Sequence, residues 1–352
     1  MKPFLKKSID NIKIKSKHFA LKLKRLIKKS TDNIKIKSKH FALKLKRLIK
    51  KSTEIVMSNR LSATGFVMIV IFVLIGIAYF IFGNHIVPYN PLKINLSDVN
   101  APLSIHHLFG TDQLGRDIFS RVIAAIPVDI GLAIFIVLIS ALVGLLLGTI
   151  AGYFRGIVEE VIMRLTDLFF AFPPLIMSMA VAATLGPSLF NAAFSIIFVW
   201  WPPYVRLVRG STLQVAASDF ITMSKVLNTK FSKILVKGIL PNIATTLVVY
   251  ATMDIGTAML TLSTLGFLNI GIPVNQPELG IMSSVLTQSL YSDPLEGLIP
   301  AFFLFLIVMG FSLMGEGMAQ IIDPNIRSHL FSRRRRLEEM KKSSKGTSKA
   351  AE

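Results

Sequence analysis

The sequence predicts an all-α, polytopic membrane protein, and three observations carry that prediction. Of the 352 residues, 52% belong to the hydrophobic set. Charged residues make up only 17%, against about 25% in soluble domains. Long uncharged runs reach the roughly 20 residues that a helix needs to cross a ~30 Å hydrocarbon core, where every backbone polar group must be satisfied within the segment.

Six segments meet that demand. The first, Leu61–Gly83, has no charge, and the second, Ile130–Phe154, is bracketed by Asp129 and Arg155. The uncharged run from Leu168 to Val205 is too long for one span. Gly186–Pro187 divides it into helices near 161–185 and 188–205 joined by a tight turn, and Pro173–Pro174 and Pro202–Pro203 are expected to break these two spans. The fifth runs from Asn242 to Phe267, interrupted only by Asp254, and the sixth is Gly297–Gly315.

The net charge of +20 belongs to the ends: residues 1–52 carry +17, residues 327–352 carry +6, and 53–326 carry −3. A pI near 10.2 invites nucleic acid, but a polybasic segment abutting an apolar span fits anionic lipid headgroups instead. The bilayer is the expected partner, not nucleic acid. Lys and Arg concentrate in both tails and in 206–241, so both termini are expected in the cytoplasm of a multi-pass cell-membrane protein. Trp200, Trp201 and Tyr204, just ahead of Arg206 and Arg209, fit an aromatic belt at the inner interface. The basic tail before the first span is far longer than the charged region of a cleaved signal, so that span reads as a permanent anchor.

The expected organisation is a basic tail at 1–59, a transmembrane domain at 60–326 and a second basic tail at 327–352. Residues 10–30 recur identically at 32–52. Two Lys-dense copies cannot stack into a repeat core; they read as a solvated tail or as an amphipathic helix held at the inner leaflet.

Candidate functional residues are few. Gly144, Gly148 and Gly152 lie on one face of the second span and mark a helix-packing seam. Asp254, mid-span, is a pathway residue or a buried, hydrogen-bonded or protonated one, and Arg164 and Asp167 are spaced to pair at i, i+3. His106 and His107 supply too few ligands for a metal site, cysteine is absent, and no GxxxxGK[ST] loop occurs. No catalytic residue, metal site or cofactor is expected.

The segment between the fourth and fifth spans carries the strongest signal. Ser218 and Asp219 can cap a short helix whose apolar positions Phe220, Met223 and Leu227 share a face. Asn228 suits the left-handed residue that ends it, and Thr229 can cap a second helix with Phe231, Ile234, Leu235 and Ile239 as its stripe. Pro241 then opens the fifth span at a position that needs no N–H. Such a pair reads as a docking element for a partner groove or as a linker lying on the membrane.

Six stretches in order are recognisable: HLFGTDQLGRDIFSR at 107–121, AGYFRG at 151–156, RLTDLFFAFPPL at 164–175, WPPYVRLVRG at 201–210, KILVKGILPN at 233–242 and LMGEGMAQIIDPNIR at 313–327. Together they resemble the inner-membrane permease of ABC importers for dipeptides, oligopeptides and nickel, the subunit with the GTDxLGRD segment. The resemblance covers about residues 60–327. It implies a six-helix core paired with a homologous second permease, two cytoplasmic ATPases and an extracytoplasmic solute-binding protein. It also implies that 220–242 is the ATPase-coupling loop. Leu240 and Pro241 match the family's Leu-Pro, whereas Thr222, Met223 and Ser224 stand where the family has Glu-Ala-Ala, and Asn228 stands at its Gly. Thr222 cannot supply the charge-assisted contact that a glutamate offers.

The function implied is alternating access driven by ATP hydrolysis on partner chains, for peptides, oligosaccharides or nickel chelates. The alternative from the residues alone is a self-sufficient secondary transporter or channel with Asp129, Asp254 and Glu316 as ion ligands. A membrane enzyme using His106, His107 and Asp112 lacks a spaced base–nucleophile pair.

Overall fold

The computed structural model describes residues 60–289 and 294–322. The duplicated basic tail, the C-terminal tail and the expected domain boundaries at 59 and 327 lie outside them. The described residues are helical, with no strand beyond one isolated bridge between Thr111 and Asp117.

Helix α1 (Arg60–Phe82) divides its surface cleanly. Ser62, Gly65, Ile69, Phe72 and Gly76 are buried at alternating steps of three and four, while Val67, Ile71, Leu74, Ile77 and Phe80 face outward. The buried seam meets α11 (Leu295–Ile322): a Cβ on Gly65 would stand 2.5 Å from the Gly310 carbonyl oxygen, and Phe72 meets Phe303 edge-on. Small residues permit that close backbone approach.

Helix α2 (Ile118–Phe154) starts a full three turns before the expected Ile130. Asp117 is its N-cap, accepting from the Ser120 N–H at 2.8 Å and the Ser120 hydroxyl at 2.6 Å. Asp129, which seemed to bound the span, is internal and partnered, as is Arg121, while Arg155 stands at the end as the C-cap. Arg121 is buried and donates to the Pro91 carbonyl, and buried Asp129 accepts from the Leu279 N–H at 3.0 Å.

The expected 161–185 span is two helices, α3 (Gly156–Phe170) and α4 (Pro174–Leu185), bent by 84°. Pro173 and Pro174 disfavour helical backbone before them and remove N–H donors, which explains the break. Charges on α3 face the next helix, α5 (Leu189–Ala216). Asp167 pairs with Arg206 at 2.6 Å, not with Arg164, and Glu159 accepts from Arg209; Arg164 reaches only Glu160 on the exposed surface.

Helix α5 runs unbroken through Pro202 and Pro203, correcting the expected break. It packs along α2, and Pro202, Tyr204, Val205 and Val208 are buried there. Tertiary packing holds a helix that proline would otherwise interrupt. The same burial corrects the aromatic belt. Trp201 and Tyr204 are core residues, and their polar atoms find protein partners: the Trp201 ring N–H donates to the Phe198 carbonyl, and the Tyr204 hydroxyl to Asp254.

After α5 come α6 (Asp219–Val226) and α7 (Phe231–Ile234). A π turn, Leu235–Ile239, then carries α7 without interruption into α8 (Leu240–Phe267). The chain from Phe231 to Phe267 is therefore one apolar rod, where a separate second helix was expected. The wider π register accommodates Pro241, which has no N–H, and the Asn242 side chain donates to the Gly238 carbonyl at 2.6 Å in the same turn. Short helices α9 (Leu279–Ser284) and α10 (Leu286–Ser289) precede α11.

Four helical stretches among the described residues are long and apolar enough to cross a membrane, Arg60–Phe82, Ile118–Phe154, Phe231–Phe267 and Leu295–Ala319; the bent α3–α4 pair makes a fifth if counted as one span. Six were expected. Helix α5 is the difference, because its polar and proline-rich sequence lowers its hydropathy while its burial against α2 makes that polarity tolerable.

Candidate functional site

The segment from 218 to 241 is built around one buried side chain. Ile221 is 0% exposed and packs with Val208, Ile234, Ile239 and Ile243. It rests on Gly238, where an added Cβ would stand 2.7 Å from the Ile221 methyl. Burying an isoleucine contributes roughly 1.5–3 kcal/mol, enough to hold an eight-residue helix that could not persist alone.

Opposite Ile221, α6 turns its other large apolar residues outward. Phe220 is 61% exposed, Met223 65%, Val226 76% and Leu227 78%. Thr222 and Asn228 are also exposed, and Ser224 is half-buried with its hydroxyl bonded to the Phe220 carbonyl. The expected face of Phe220, Met223 and Leu227 therefore exists, but it is the free face. The residue that anchors the helix, Ile221, was absent from the sequence reading, since its partners are 13 to 22 residues further on or on α5.

Both ends of α6 close through backbone geometry. The Ser218 carbonyl accepts from the Ile221 and Thr222 N–H groups, while the Ser218 hydroxyl donates back to Val215, so it does not cap. Asn228 has φ 50°, the left-handed conformation that asparagine tolerates, and the Thr229 N–H reaches back to the Ser224 carbonyl at 3.0 Å. Thr229 caps nothing; Lys230 is the N-cap of α7 and makes no side-chain bond there. Leu240 is half-buried and lines a cavity of about 140 Å³ with Thr149, Phe231 and Leu235, and Pro241 is exposed.

The glycine seam lies against α5. A Cβ on Gly148 would stand 2.7 Å from the Val205 carbonyl oxygen and 2.8 Å from Val208 Cβ; one on Gly152 would stand 2.8 Å from Thr212 Cβ, and Gly144 meets Tyr204. Asp254 is half-buried on α8, and its Oδ2 accepts from the Trp200 ring N–H at 2.7 Å and the Tyr204 hydroxyl at 2.6 Å. Periodicity could not have paired residues 50 positions apart.

Two further polar clusters escaped the sequence reading as clusters. Glu278 is buried at the start of α9 and accepts from the Gly280 and Ile281 N–H groups and the Ser263 hydroxyl. Burial pushes its carboxyl above the ordinary value, opposed by those three donors. With Asp129 holding the Leu279 N–H, α9 is fastened to α2 and α8 by two carboxylates. Ahead of α2, buried Asp112 accepts from Arg116 at 2.7 Å, and the His107 ring nitrogen lies 2.9 Å from Asp117. His107 is a structural partner of the α2 N-cap, and among the described residues no three His, Cys, Asp or Glu side chains gather as a metal site.

Asp129, Asp254 and Glu316 do not converge either: the first serves α9, the second α5, and the third is exposed on α11.

An apolar helical bundle with several helices long enough to cross a bilayer defines a multi-pass membrane protein, and α6 leaves its apolar face exposed. The chain belongs to the family of binding-protein-dependent transport system inner membrane components, which residues 144–328 match. It is 35% identical over 270 residues to the dipeptide transport system permease protein DppC of Alkalihalophilus pseudofirmus, covering 77% of this chain and 88% of that protein. It is 36% identical over 258 residues to the glutathione transport system permease protein GsiD of Escherichia coli O157:H7, covering 73% of this chain and 85% of that protein. The resemblance carried by the six ordered motifs is thereby shown, and the chain is an ABC importer permease.

Proposed function

We propose that the chain is one of two transmembrane subunits of an ATP-driven importer for short peptides, with oligosaccharides and nickel chelates as related solutes. The relatives' names, a dipeptide and a glutathione transport permease, support the peptide reading. The single observation that carries the coupling role is the exposed apolar face of α6, anchored by Ile221. Such a surface is costly in water and fits a hydrophobic groove.

In this reading the six spans are α1, α2, the α3–α4 pair, α5, α8 and α11, with both termini in the cytoplasm. Helices α6 and α7 then lie on the cytoplasmic side, where two ATPase subunits engage them. A homologous permease completes the pair, and a solute-binding protein delivers solute from outside. Closure of the ATPases displaces α6; Ile221 passes that displacement to Ile234, Ile239 and Ile243, and so to α8. Phe220, Thr222, Met223, Ser224, Leu227 and Asn228 form the gripped surface, with Leu240 and Pro241 at the root of the moving rod. Thr222 and Asn228 leave apolar contact as the source of grip.

Reconstitution tests this. ATP-driven uptake of a dipeptide should require both permeases, the ATPases and the binding protein, and Leu227→Glu should abolish it without altering membrane insertion. Uptake by the purified chain alone would support a secondary transporter instead.

A further inference from the structure

The surface of α8 carries a polar row, of which Tyr250 packs edge-on against Tyr204 of α5. Thr246, Tyr250, Asp254, Thr257, Thr261 and Thr264 fall within roughly 80° of arc and extend over roughly 27 Å of helix, close to the thickness of the hydrocarbon core. None is buried: Thr246 and Thr257 are exposed and the other four are half-buried. The exposed face of α1 is different, offering Val67, Ile71, Leu74, Ile77 and Phe80. The Thr261 and Thr264 hydroxyls donate to the Thr257 and Leu260 carbonyls of their own helix; the carboxyl group in the row is different, since intramembrane carboxylates face a bundle interior or a water-filled cavity. Beside this row, Met253 packs against Gly315 of α11, and Asp254 reaches across to α5.

The carboxyl group is held in place by neutral donors on α5. The Trp200 N–H and the Tyr204 hydroxyl both donate to Oδ2, fixing its orientation. Among the described residues, Oδ1 accepts no hydrogen bond and no basic side chain pairs with Asp254. Both donors to Oδ2 are neutral, and Oδ1 is left for a cationic group.

We propose that this face of α8 lines the solute path and that Asp254 is the counter-ion for an ammonium group carried by the solute. The proposal rests on the reading of the chain as a solute-translocating subunit and adds the residues and charge preference of the path.

Because the chain contains no cysteine, single cysteines report accessibility without background. In the assembled importer, built with cysteine-free partners, Thr257→Cys and Thr261→Cys are treated with cationic trimethylammonium-ethyl and anionic sulfonato-ethyl methanethiosulfonate. Ile71→Cys on α1 serves as the lipid-facing control. Both α8 cysteines should react, and the cationic reagent should be favoured by roughly tenfold over its intrinsic ratio, the scale on which a charged cleft enriches counter-ions. Asp254→Asn should erase that preference and Asp254→Glu should keep it, with the neutral hydroxyethyl reagent reacting equally in all three, which confirms an intact fold. Reactivity no greater than at Ile71→Cys overturns the path, and a cation preference that survives Asp254→Asn overturns the role of Asp254. Labelling needs no transport, so failure of ATP-driven uptake would count against the functional reading and leave these outcomes standing.

Discussion

Replacing Ile221 with alanine tests whether α6 is held by one side chain. Ile221 is fully buried among Val208, Ile234, Ile239 and Ile243 and rests directly on Gly238. Removing a buried isoleucine to alanine costs about 2–5 kcal/mol, depending on how far the site collapses. The middle of that range, about 3.5 kcal/mol, is a factor of roughly 300 in the docking equilibrium of α6, since about 1.4 kcal/mol is tenfold. Ile221→Val, at about 0.5–1.5 kcal/mol, should shift the same equilibrium by about tenfold or less. Amide hydrogen exchange over 219–229 reads it directly: protection should fall by roughly two orders of magnitude in Ile221→Ala, and little in Met223→Ala, whose side chain is exposed. ATP-driven uptake should fall in parallel with protection. Unchanged protection of 219–229 in Ile221→Ala would refute the reasoning, because α6 would then be held by something other than this contact.

Other outcomes follow from the same geometry. Gly148→Leu places a side chain where even a Cβ meets Val205 and Val208 at under 3 Å; overpacking of this kind costs about 1–3 kcal/mol or more, so the purified permease pair should lose several degrees of thermal midpoint. Asp117→Ala removes the α2 cap and the partner of His107 and should cost about 0.5–2 kcal/mol, measured as the same midpoint. Glu278 faces Asp129, and burial raises its carboxyl above the ordinary 4.5. Its contribution to stability is therefore full below that value and lost as pH rises through the raised value. Exchange of the α9 amides should quicken over that rise, and Glu278→Gln should flatten the response.

Apolar run length revealed α1 to within a residue at each end and the start of α11 to within two, because lipid imposes a single local demand that sequence displays directly; α11 continues past the expected Gly315 to Ile322. Helix α2 reads as starting at Ile130 because Asp129 looks like a boundary and Arg121 lies beyond the apolar run. Their partners, the Pro91 carbonyl and the Leu279 N–H, are supplied by distant chain. Pro202 and Pro203 misled for the same reason, since packing of α5 along α2 overrides the local penalty. At the candidate site, the apolar positions of α6 were visible as a periodicity, but periodicity does not say which face is free. Ile221 anchors α6 through contacts made only after the chain returns as α7 and α8. The Asp254 cluster was half legible: a mid-span carboxylate announces itself, whereas its donors on α5 are a tertiary fact.

On the proposed function, the exposed face of α6 is where the ATPase grips. A photo-reactive probe attached at Met223→Cys in the assembled importer tests it most directly, because the probe sits on the free face and marks whatever covers it. A covalent adduct between this chain and an ATPase subunit is expected, lost when the ATPases are omitted. Adducts with lipid alone, unchanged by the presence of the ATPases, would contradict it and assign α6 to the membrane surface.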